Sequence, residues 1–397
     1  VLHGAAEVFD WHKRMKGQGI NGEMSIHWQE LLQFKRKFTE NVPNHREQSL
    51  NQNGIDTYHG KASFINENTI SVEDEKLEGN RILIATGAMP SPLPIQGAEY
   101  LTHSDEFLDL DDLPETIVFV GGGYISFEFA HIAARAGAEV HIIHRGDRPL
   151  ENFDEDLVDS LLKKTREIGV NVHLEHSVEG IDLEKNGYLV HTSSNEQTVS
   201  FHADLVVHGA GRVPALDLEL EKGNVKNEKN GVVVNEYLQS VSNPHVYAAG
   251  DVAATNGLPL TPIASMESHI VASNLLKGNH KKVTYPPTPS VVFTVPKLAS
   301  IGMTEEEAKS SGRDIQINHK EVRNWFTYKR TNESHAEFKI LIDKEADQIV
   351  GAHLISEEAD ELINHFATAI NFGLSPKELK KVIYAYPTAA SDISYML

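Results

Sequence analysis

Three consecutive glycines, Gly121 to Gly123, lie between two apolar segments and could hold the phosphates of a dinucleotide. The apolar run 117–120 predicts a buried strand, and apolar residues at helical spacing predict a helix over 125–136. In this setting Gly121 permits a tight turn, Gly123 lets backbone approach a pyrophosphate, and Ser126 keeps the helix close to the strand. Free N–H groups and the helix dipole favour phosphate at such a helix N-terminus. A glycine-rich turn without a ligand is the alternative.

The residues after the next apolar strand indicate which nicotinamide cofactor is bound. An NAD-selective unit usually presents Asp or Glu to the ribose hydroxyls there. This sequence instead has His144, with Arg145 and Arg148 close by. Guanidinium groups hold a 2′-phosphate through charge-assisted hydrogen bonds, so NADPH is favoured over NADH. Pairing of the arginines with Asp147 or Glu151 would leave them as ordinary surface charges.

The composition excludes several classes of partner. The 397 residues carry 36 Lys and Arg against 57 Asp and Glu, a net charge of −21 at pH 7. Such an acidic balance repels nucleic acid and anionic membranes. No apolar run is long enough to span a bilayer and no signal peptide is evident, so a cytoplasmic location is expected. The 21 histidines show no metal-ligand spacing, so no metal site is expected.

Periodicity predicts an α/β chain that is long enough for two or three domains. Further strands are predicted at 55–59, 62–65, 69–72, 82–85, 139–143, 204–208, 245–249, 290–294, 338–342 and 349–354. Further helices are predicted at 2–16, 26–39, 264–276, 305–310, 359–372 and 376–381. The acidic stretch 105–112 is interpreted as a solvated linker face.

Four further segments, together with the glycine turn, resemble a known family. They are Ile-Ala-Thr-Gly at 84–87, Gly-Arg-Val-Pro at 211–214, Ala-Ala-Gly-Asp at 248–251, and the stretch 290–305. The segments occur in the order found in the flavin-dependent pyridine nucleotide-disulfide oxidoreductases, the family of glutathione reductase and dihydrolipoamide dehydrogenase. The chain is identified as a member of that family.

The resemblance implies two Rossmann-like dinucleotide-binding domains, the FAD one incomplete, and a C-terminal α+β dimerisation domain. The predicted FAD domain comprises 1–113 and 235–284, the NAD(P)H domain 114–234, and the interface domain 285–397. A homodimer is expected, because the family builds each active site from two chains.

The resemblance also implies roles for individual residues. Asp251 matches the residue that accepts a hydrogen bond from the ribityl chain of FAD, and the helix starting near Ala264 directs its N-terminus at the flavin pyrimidine. Glu128 matches a glutamate at the nicotinamide face of the flavin, where the family has a lysine partner. Tyr124 matches the residue that covers the flavin, and Arg212 a contact to the nicotinamide nucleotide. The other expected cofactor residues are Thr86, Gly87, Gly250 and Thr261.

The sequence departs from the family pattern at its start and near its end. The family's N-terminal FAD unit and C-x4-C redox pair are not found, and the similarity begins as if just past the second cysteine. With no cysteine, this stretch is not expected to perform disulfide exchange itself. Near the C-terminus, Tyr386 replaces the family's acid/base histidine and Ser391 its glutamate. Tyrosine donates a hydrogen bond but does not shuttle protons near neutral pH.

The predicted function is therefore that of an FAD-dependent NAD(P)H oxidoreductase, which passes hydride from NADPH to flavin and then to a disulfide or other small acceptor. Two alternatives stay open. One is an inactive or truncated chain that binds NADP(H) and dimerises without disulfide chemistry. The other is a thiol-independent flavin reductase.

Overall fold

The computed structural model describes residues 1–194 and 197–397, and this part of the chain divides into two compact units. The first unit comprises residues 1–37, 92–210 and 287–397. The second comprises residues 38–91 and 211–286. Each unit has hydrophobic clusters of its own. The domain boundaries drawn from the sequence stay a prediction.

The helices are α1 (Leu2–Met15), α2 (Trp28–Thr39), α3 (Val42–Gln52), α4 (Ser104–Phe107), α5 (Tyr124–Arg135), α6 (Glu155–Glu167), α7 (Thr261–Lys277), α8 (Glu305–Ser310), α9 (Phe326–Lys329), α10 (Ala359–Asn371), α11 (Pro376–Leu379) and α12 (Ile393–Met396). The strands are β1 (Ala62–Asn66), β2 (Thr69–Val72), β3 (Glu75–Glu78), β4 (Ile82–Ile84), β5 (Ala88–Pro90), β6 (Thr116–Val120), β7 (Glu139–Ile143), β8 (Val170–His173), β9 (Ser177–Glu184), β10 (Gly187–Ser194), β11 (Gln197–Ala203), β12 (Leu205–His208), β13 (Arg212–Pro214), β14 (Asn227–Glu228), β15 (Gly231–Val233), β16 (Val246–Ala248), β17 (Ala253–Ala254), β18 (Ser290–Val292), β19 (Lys297–Gly302), β20 (Ile315–Glu321), β21 (Glu337–Asp343) and β22 (Gln348–Ser356).

A four-stranded parallel sheet in the first unit has the order β12-β6-β7-β8. Side chains alternate across its strands. Phe119 and Ile142 therefore belong to one core, with apolar residues of α5 and α6. Val118 and Ile143 belong to another, with residues of the antiparallel sheet β11-β10-β9. Coverage on both faces explains why these parallel strands are almost wholly apolar.

The C-terminal part of the first unit is a five-stranded antiparallel sheet with the order β18-β19-β22-β21-β20. Helix α10 presents Leu362, Ile363 and Phe366 to the core of this sheet. Together with the parallel sheet, this α+β arrangement confirms the predicted fold class.

The second unit contains α3, α7 and several short sheets. Strands β1, β2 and β3 form an antiparallel sheet, and β16 lies parallel to β4. The pair β13 and β5 and the trio β14-β15-β17 complete its strands.

One predicted strand is absent from the described residues, and helix α3 was not predicted. The segment 55–59 is not a strand: Ile55 and Tyr58 are exposed, so its alternation buries no face. Helix α3 was not expected, because it buries none of its residues and shows no apolar period. The acidic side chains of the stretch 105–112 are exposed, as expected for a solvated face, and two of them pair with helix α2: Lys35 donates to the Asp109 carboxylate at 2.5 Å and Arg36 to the Asp111 carboxylate at 2.7 Å.

None of the helices in the described residues has the length and apolar character needed to cross a membrane.

Candidate cofactor-binding sites

The glycine turn joins β6 to α5 at the carboxyl end of the parallel sheet. Gly121 has φ +108°, and a Cβ there would lie 2.5 Å from the backbone oxygen of Gly209. Its N–H donates to the Ile143 oxygen at 2.8 Å. Gly123 is the N-cap residue of α5, in extended backbone, and no side chain caps this helix. The N–H groups of the first turn are therefore left for a ligand or solvent.

The imidazole of His144 holds this turn through two hydrogen bonds. Its Nδ1 accepts a hydrogen bond from the Gly122 N–H at 3.1 Å, and its Nε2 donates to the Arg148 carbonyl at 2.9 Å. One nitrogen accepts and the other donates, which fits a neutral imidazole protonated at Nε2. A Cβ on Gly122 would lie 2.6 Å from the imidazole Cγ. Sequence reasoning missed this role, and the available signal was the middle glycine, which the dinucleotide fingerprint does not require.

Ser126 lies in the first turns of α5 against Gly209, which follows β12. Ser126 is fully buried, and a Cβ on Gly209 would approach its Cβ to 3.2 Å. Helix and sheet are therefore in close contact at this point. The Ser126 hydroxyl makes no hydrogen bond to any described residue.

The two arginines after β7 differ in their surroundings. Arg148 donates to the Glu151 carbonyl at 3.2 Å and lies 3.8 Å from the Glu155 carboxylate. Arg145 is exposed and makes neither a hydrogen bond nor an ion pair within the described part of the chain. Arg145 is therefore the guanidinium available to an anionic group of a ligand.

Tyr124 and Glu128 lie one helical turn apart at the start of α5. Tyr124 is 49% exposed. The Glu128 Oε1 accepts a hydrogen bond from the Phe293 N–H at 2.9 Å, and burial raises the pKa of this carboxyl group. Two further residues of α5 contact the loop between β18 and β19. His131 Nδ1 accepts a hydrogen bond from the Val295 N–H, and Arg135 donates one to the Val295 carbonyl. Sequence reasoning missed this attachment of Glu128 to the β18–β19 loop.

In the second unit, Gly250 and Asp251 follow β16. The Asp251 carboxylate is half-buried and has no hydrogen-bond partner or ion pair among the described residues. Gly250 donates its N–H to Glu267 at 2.6 Å. Helix α7 begins at Thr261, three residues before the expected start near Ala264, and its N-cap Leu260 offers no side-chain oxygen. Pro262 has no N–H and the Ala264 N–H donates to the Leu260 carbonyl, so the first-turn N–H groups left without a helical partner are those of Thr261 and Ile263.

Thr86, Gly87 and Arg212 lie where β5 pairs with β13. Thr86 Oγ1 donates to the Ala215 carbonyl at 2.8 Å, and the Gly87 carbonyl accepts from the Ala215 N–H at 2.9 Å. Arg212 donates to the Ala88 carbonyl at 2.5 Å. These groups hold two segments of the second unit together.

Tyr386 is 79% exposed in the segment that precedes the last helix. Thr388 caps the following turn and accepts a hydrogen bond from the Ser391 N–H at 3.3 Å. Burial raises the pKa of the neighbouring Asp392.

Residues 12–268 match the model of the pyridine nucleotide-disulphide oxidoreductases, and residues 288–396 match the dimerisation domain of that family. The chain belongs to the pyridine nucleotide-disulphide oxidoreductase family. Members of this family are flavin-dependent oxidoreductases that use FAD and NAD(P)H, which confirms the predicted family, enzyme class and cofactor type. The dimerisation domain supports a homodimer.

Individual relatives place the chain within this family. It is 72% identical over 180 residues to an uncharacterized 19.7 kDa protein in a mercuric resistance operon of Staphylococcus aureus, covering 45% of this chain and 100% of that protein. It is 31% identical over 369 residues to a mercuric reductase of Lysinibacillus sphaericus, covering 91% of this chain and 67% of that enzyme. A mercuric reductase of Staphylococcus aureus is 31% identical, and this chain spans 63% of its length.

A similar solved structure is that of the HOCl-induced flavoprotein disulfide reductase RclA from Escherichia coli. The TM-score is 0.86 at 27% sequence identity. The match covers 100% of this chain and 88% of RclA.

Proposed function

We propose that the protein is an FAD-dependent oxidoreductase that takes hydride from NADPH and passes the electrons to a disulfide or another small acceptor, working as a homodimer. The observation that carries the proposal is the turn at Gly121 to Gly123, where backbone alone forms the approach to an uncapped helix N-terminus. Such a turn suits a pyrophosphate.

The residues around this turn fit NADPH. The first-turn N–H groups of α5 would bind the pyrophosphate, and His144 would keep the turn in shape by holding Gly122. The unpaired Arg145 would bind the 2′-phosphate. Arg148 would contribute less, because Glu151 and Glu155 already engage it.

The second unit fits FAD on two observations, the unpaired carboxylate of Asp251 and the uncapped N-terminus of α7. Bound FAD would supply the two-electron centre between nicotinamide and acceptor. Asp251 would accept a hydrogen bond from a ribityl hydroxyl. The α7 N-terminus, at Thr261 to Ala264, would stabilise negative charge on the flavin pyrimidine.

Three further side chains are proposed to act near the reacting atoms. Tyr124 would cover the nicotinamide site, and Glu128, oriented by the Phe293 N–H, would orient the nicotinamide. Tyr386 would donate a hydrogen bond to the acceptor from its exposed position.

The coenzyme assignment is tested with Arg145→Gln and with Arg148→Gln as the matched control. Loss of a charge-assisted contact to phosphate predicts that Arg145→Gln weakens NADPH binding by about tenfold or more and leaves NADH binding unchanged. Arg148→Gln changes NADPH binding by less than about threefold, because its partners are within the protein. Titration of both coenzymes by fluorescence measures this. Equal loss of NADPH and NADH affinity in Arg145→Gln would contradict the assignment.

The flavin assignment is tested by the visible spectrum of the purified protein and by its flavin content. Wild type is expected to contain FAD. Asp251→Asn, which keeps the shape but loses the charge, is expected to bind FAD about tenfold more weakly. A wild-type protein that neither contains FAD nor takes it up from solution contradicts the proposed function.

A further inference from the structure

Glu267, in α7, is buried in the second unit and receives hydrogen bonds from three donors. Only 1% of its surface is exposed. Its Oε2 accepts from the Gly250 N–H at 2.6 Å. Its Oε1 accepts from the Tyr285 hydroxyl at 2.5 Å and from Thr255 Oγ1 at 3.2 Å. The carboxylate therefore joins α7 to the turn after β16 and to the segment around residue 285.

We infer that Glu267 is a positioning residue of the FAD site, which sets the backbone of the Gly250–Asp251 turn so that the Asp251 carboxylate stays directed at its ligand. The inference rests on the proposed function for the identity of that ligand. Glu267 itself accepts hydrogen bonds from one backbone N–H and two hydroxyl groups of the protein.

The chemistry of the three donors requires a carboxylate here. An ionised carboxylate only accepts hydrogen bonds, whereas a glutamine amide offers one acceptor and one donor group. In Glu267→Gln, the NH2 group must face either the Gly250 N–H or the two hydroxyls. With the NH2 towards Gly250, the buried N–H of that residue loses its acceptor, which is costly. Charge-assisted bonds are also stronger than neutral ones, so the carboxylate holds the turn more firmly.

The position of Asp251 is set by the backbone beside it, where the Gly250 N–H bonds to Glu267 and the Gly250 carbonyl accepts from the Ala253 N–H at 2.9 Å. The Asp251 side chain has no partner within the described residues, so no side-chain contact fixes its position. The Gly250 bond to Glu267 lies immediately before it in the chain. Tyr285 supports the arrangement from the other oxygen, and burial together with the bond to Glu267 raises the pKa of its hydroxyl, which keeps it a donor.

The test uses three variants of the whole protein. Glu267→Gln removes the charge at constant shape, and Tyr285→Phe removes only the hydroxyl. Ser268→Ala is the control on the same helix, since the Ser268 hydroxyl only donates to the Ser265 carbonyl. Each is stripped of flavin and titrated with FAD by fluorescence quenching. NADPH affinity is measured in parallel, because that coenzyme is assigned to the first unit.

The expected result is that Glu267→Gln raises the Kd for FAD by at least about tenfold and Tyr285→Phe by about threefold, while Ser268→Ala stays within twofold or so of wild type. NADPH affinity stays unchanged in all three variants, which a general loss of folding would not allow. FAD binding by Glu267→Gln equal to wild type overturns the inference and leaves the proposed function standing. A parallel loss of NADPH affinity also overturns it. Absence of FAD binding in wild type overturns both.

Discussion

Replacing Gly121 by alanine tests the glycine turn at the point where backbone leaves least room. Gly121 has φ +108°, and the added Cβ would lie 2.5 Å from the Gly209 oxygen and 2.6 Å from the Ala210 backbone. Both are backbone atoms, so no rotation of a side chain relieves the contact. Gly137→Ala is the matched control: this residue has φ +104°, but its Cβ would meet no atom within 4 Å.

The two variants separate the cost of backbone strain, which both share, from the cost of the steric contact between Cβ and backbone, which only Gly121→Ala has. A side chain in this φ region costs about 1–2 kcal/mol, which both variants share. An ordinary carbon–oxygen contact is near 3.4 Å, so Gly121→Ala must also displace the turn by about 1 Å, at a further 1–2 kcal/mol or so. The expected loss of unfolding free energy is about 2–4 kcal/mol for Gly121→Ala and about 1–2 kcal/mol for Gly137→Ala.

The expected functional effect of Gly121→Ala is a weaker affinity for NADPH. A displacement of about 1 Å separates phosphate from the N–H donors, so the Kd of Gly121→Ala is expected to rise by at least about tenfold. Gly137→Ala, at the opposite end of α5, is expected to bind NADPH as wild type does. Isothermal titration gives the affinities and urea unfolding the stabilities. Unchanged NADPH affinity in Gly121→Ala, or an equal loss in Gly137→Ala, would refute the assignment of the turn as the phosphate site.

Two predictions concern pH. Burial, with help from Glu358 and Glu333, raises the pKa of Glu357 from 4.5 to about 7 despite the ion pair with Arg14. The protonated Glu357 therefore contributes its full stabilisation below pH 4.5, and this contribution is lost as the pH rises to about 7. After solvent screening, the expected loss of unfolding free energy is about 1–2 kcal/mol. The variant Glu357→Gln should not show this loss. Burial and the neighbouring His141 and His176 lower the pKa of His173 from 6.5 to about 4. The stabilisation that neutral His173 contributes is therefore lost as the pH falls from 6.5 to about 4. In that range His173→Asn should retain about 1 kcal/mol more unfolding free energy than wild type. Urea midpoints against pH check both, and variants with the pH slope of wild type would contradict them.

The parts of the fold that the sequence predicts well are those with complete burial. Strand β7 occupies 139–143 as expected, and β6 and α5 each begin one residue earlier than expected, because uninterrupted apolar runs and helical periods reflect their buried faces. The segment 55–59 has a similar alternation but no surface that covers it. Strands β9 to β11 escaped prediction because polar residues recur along them, as in Gln197–Ala203.

The site residues that could be predicted from the sequence are those whose local sequence motif indicates their role. Gly121 and Asp251 stand in recognisable local patterns. His144 and Glu267 do not, because their partners are backbone N–H groups 22 and 17 residues away, which only the folded chain brings close. The attachment of Glu128 to Phe293 spans 165 residues and is equally invisible to local pattern. Whether an arginine is free for a ligand also depends on such contacts, as the difference between Arg145 and Arg148 shows.

The measurement that tests the central claim most directly is anaerobic reduction of the purified protein, followed through the visible absorbance bands of its flavin. The account predicts that those bands are present, that NADPH bleaches them, and that NADH bleaches them only at higher concentration. A protein with no flavin bands, or one whose flavin is not reduced by NADPH, would contradict the account.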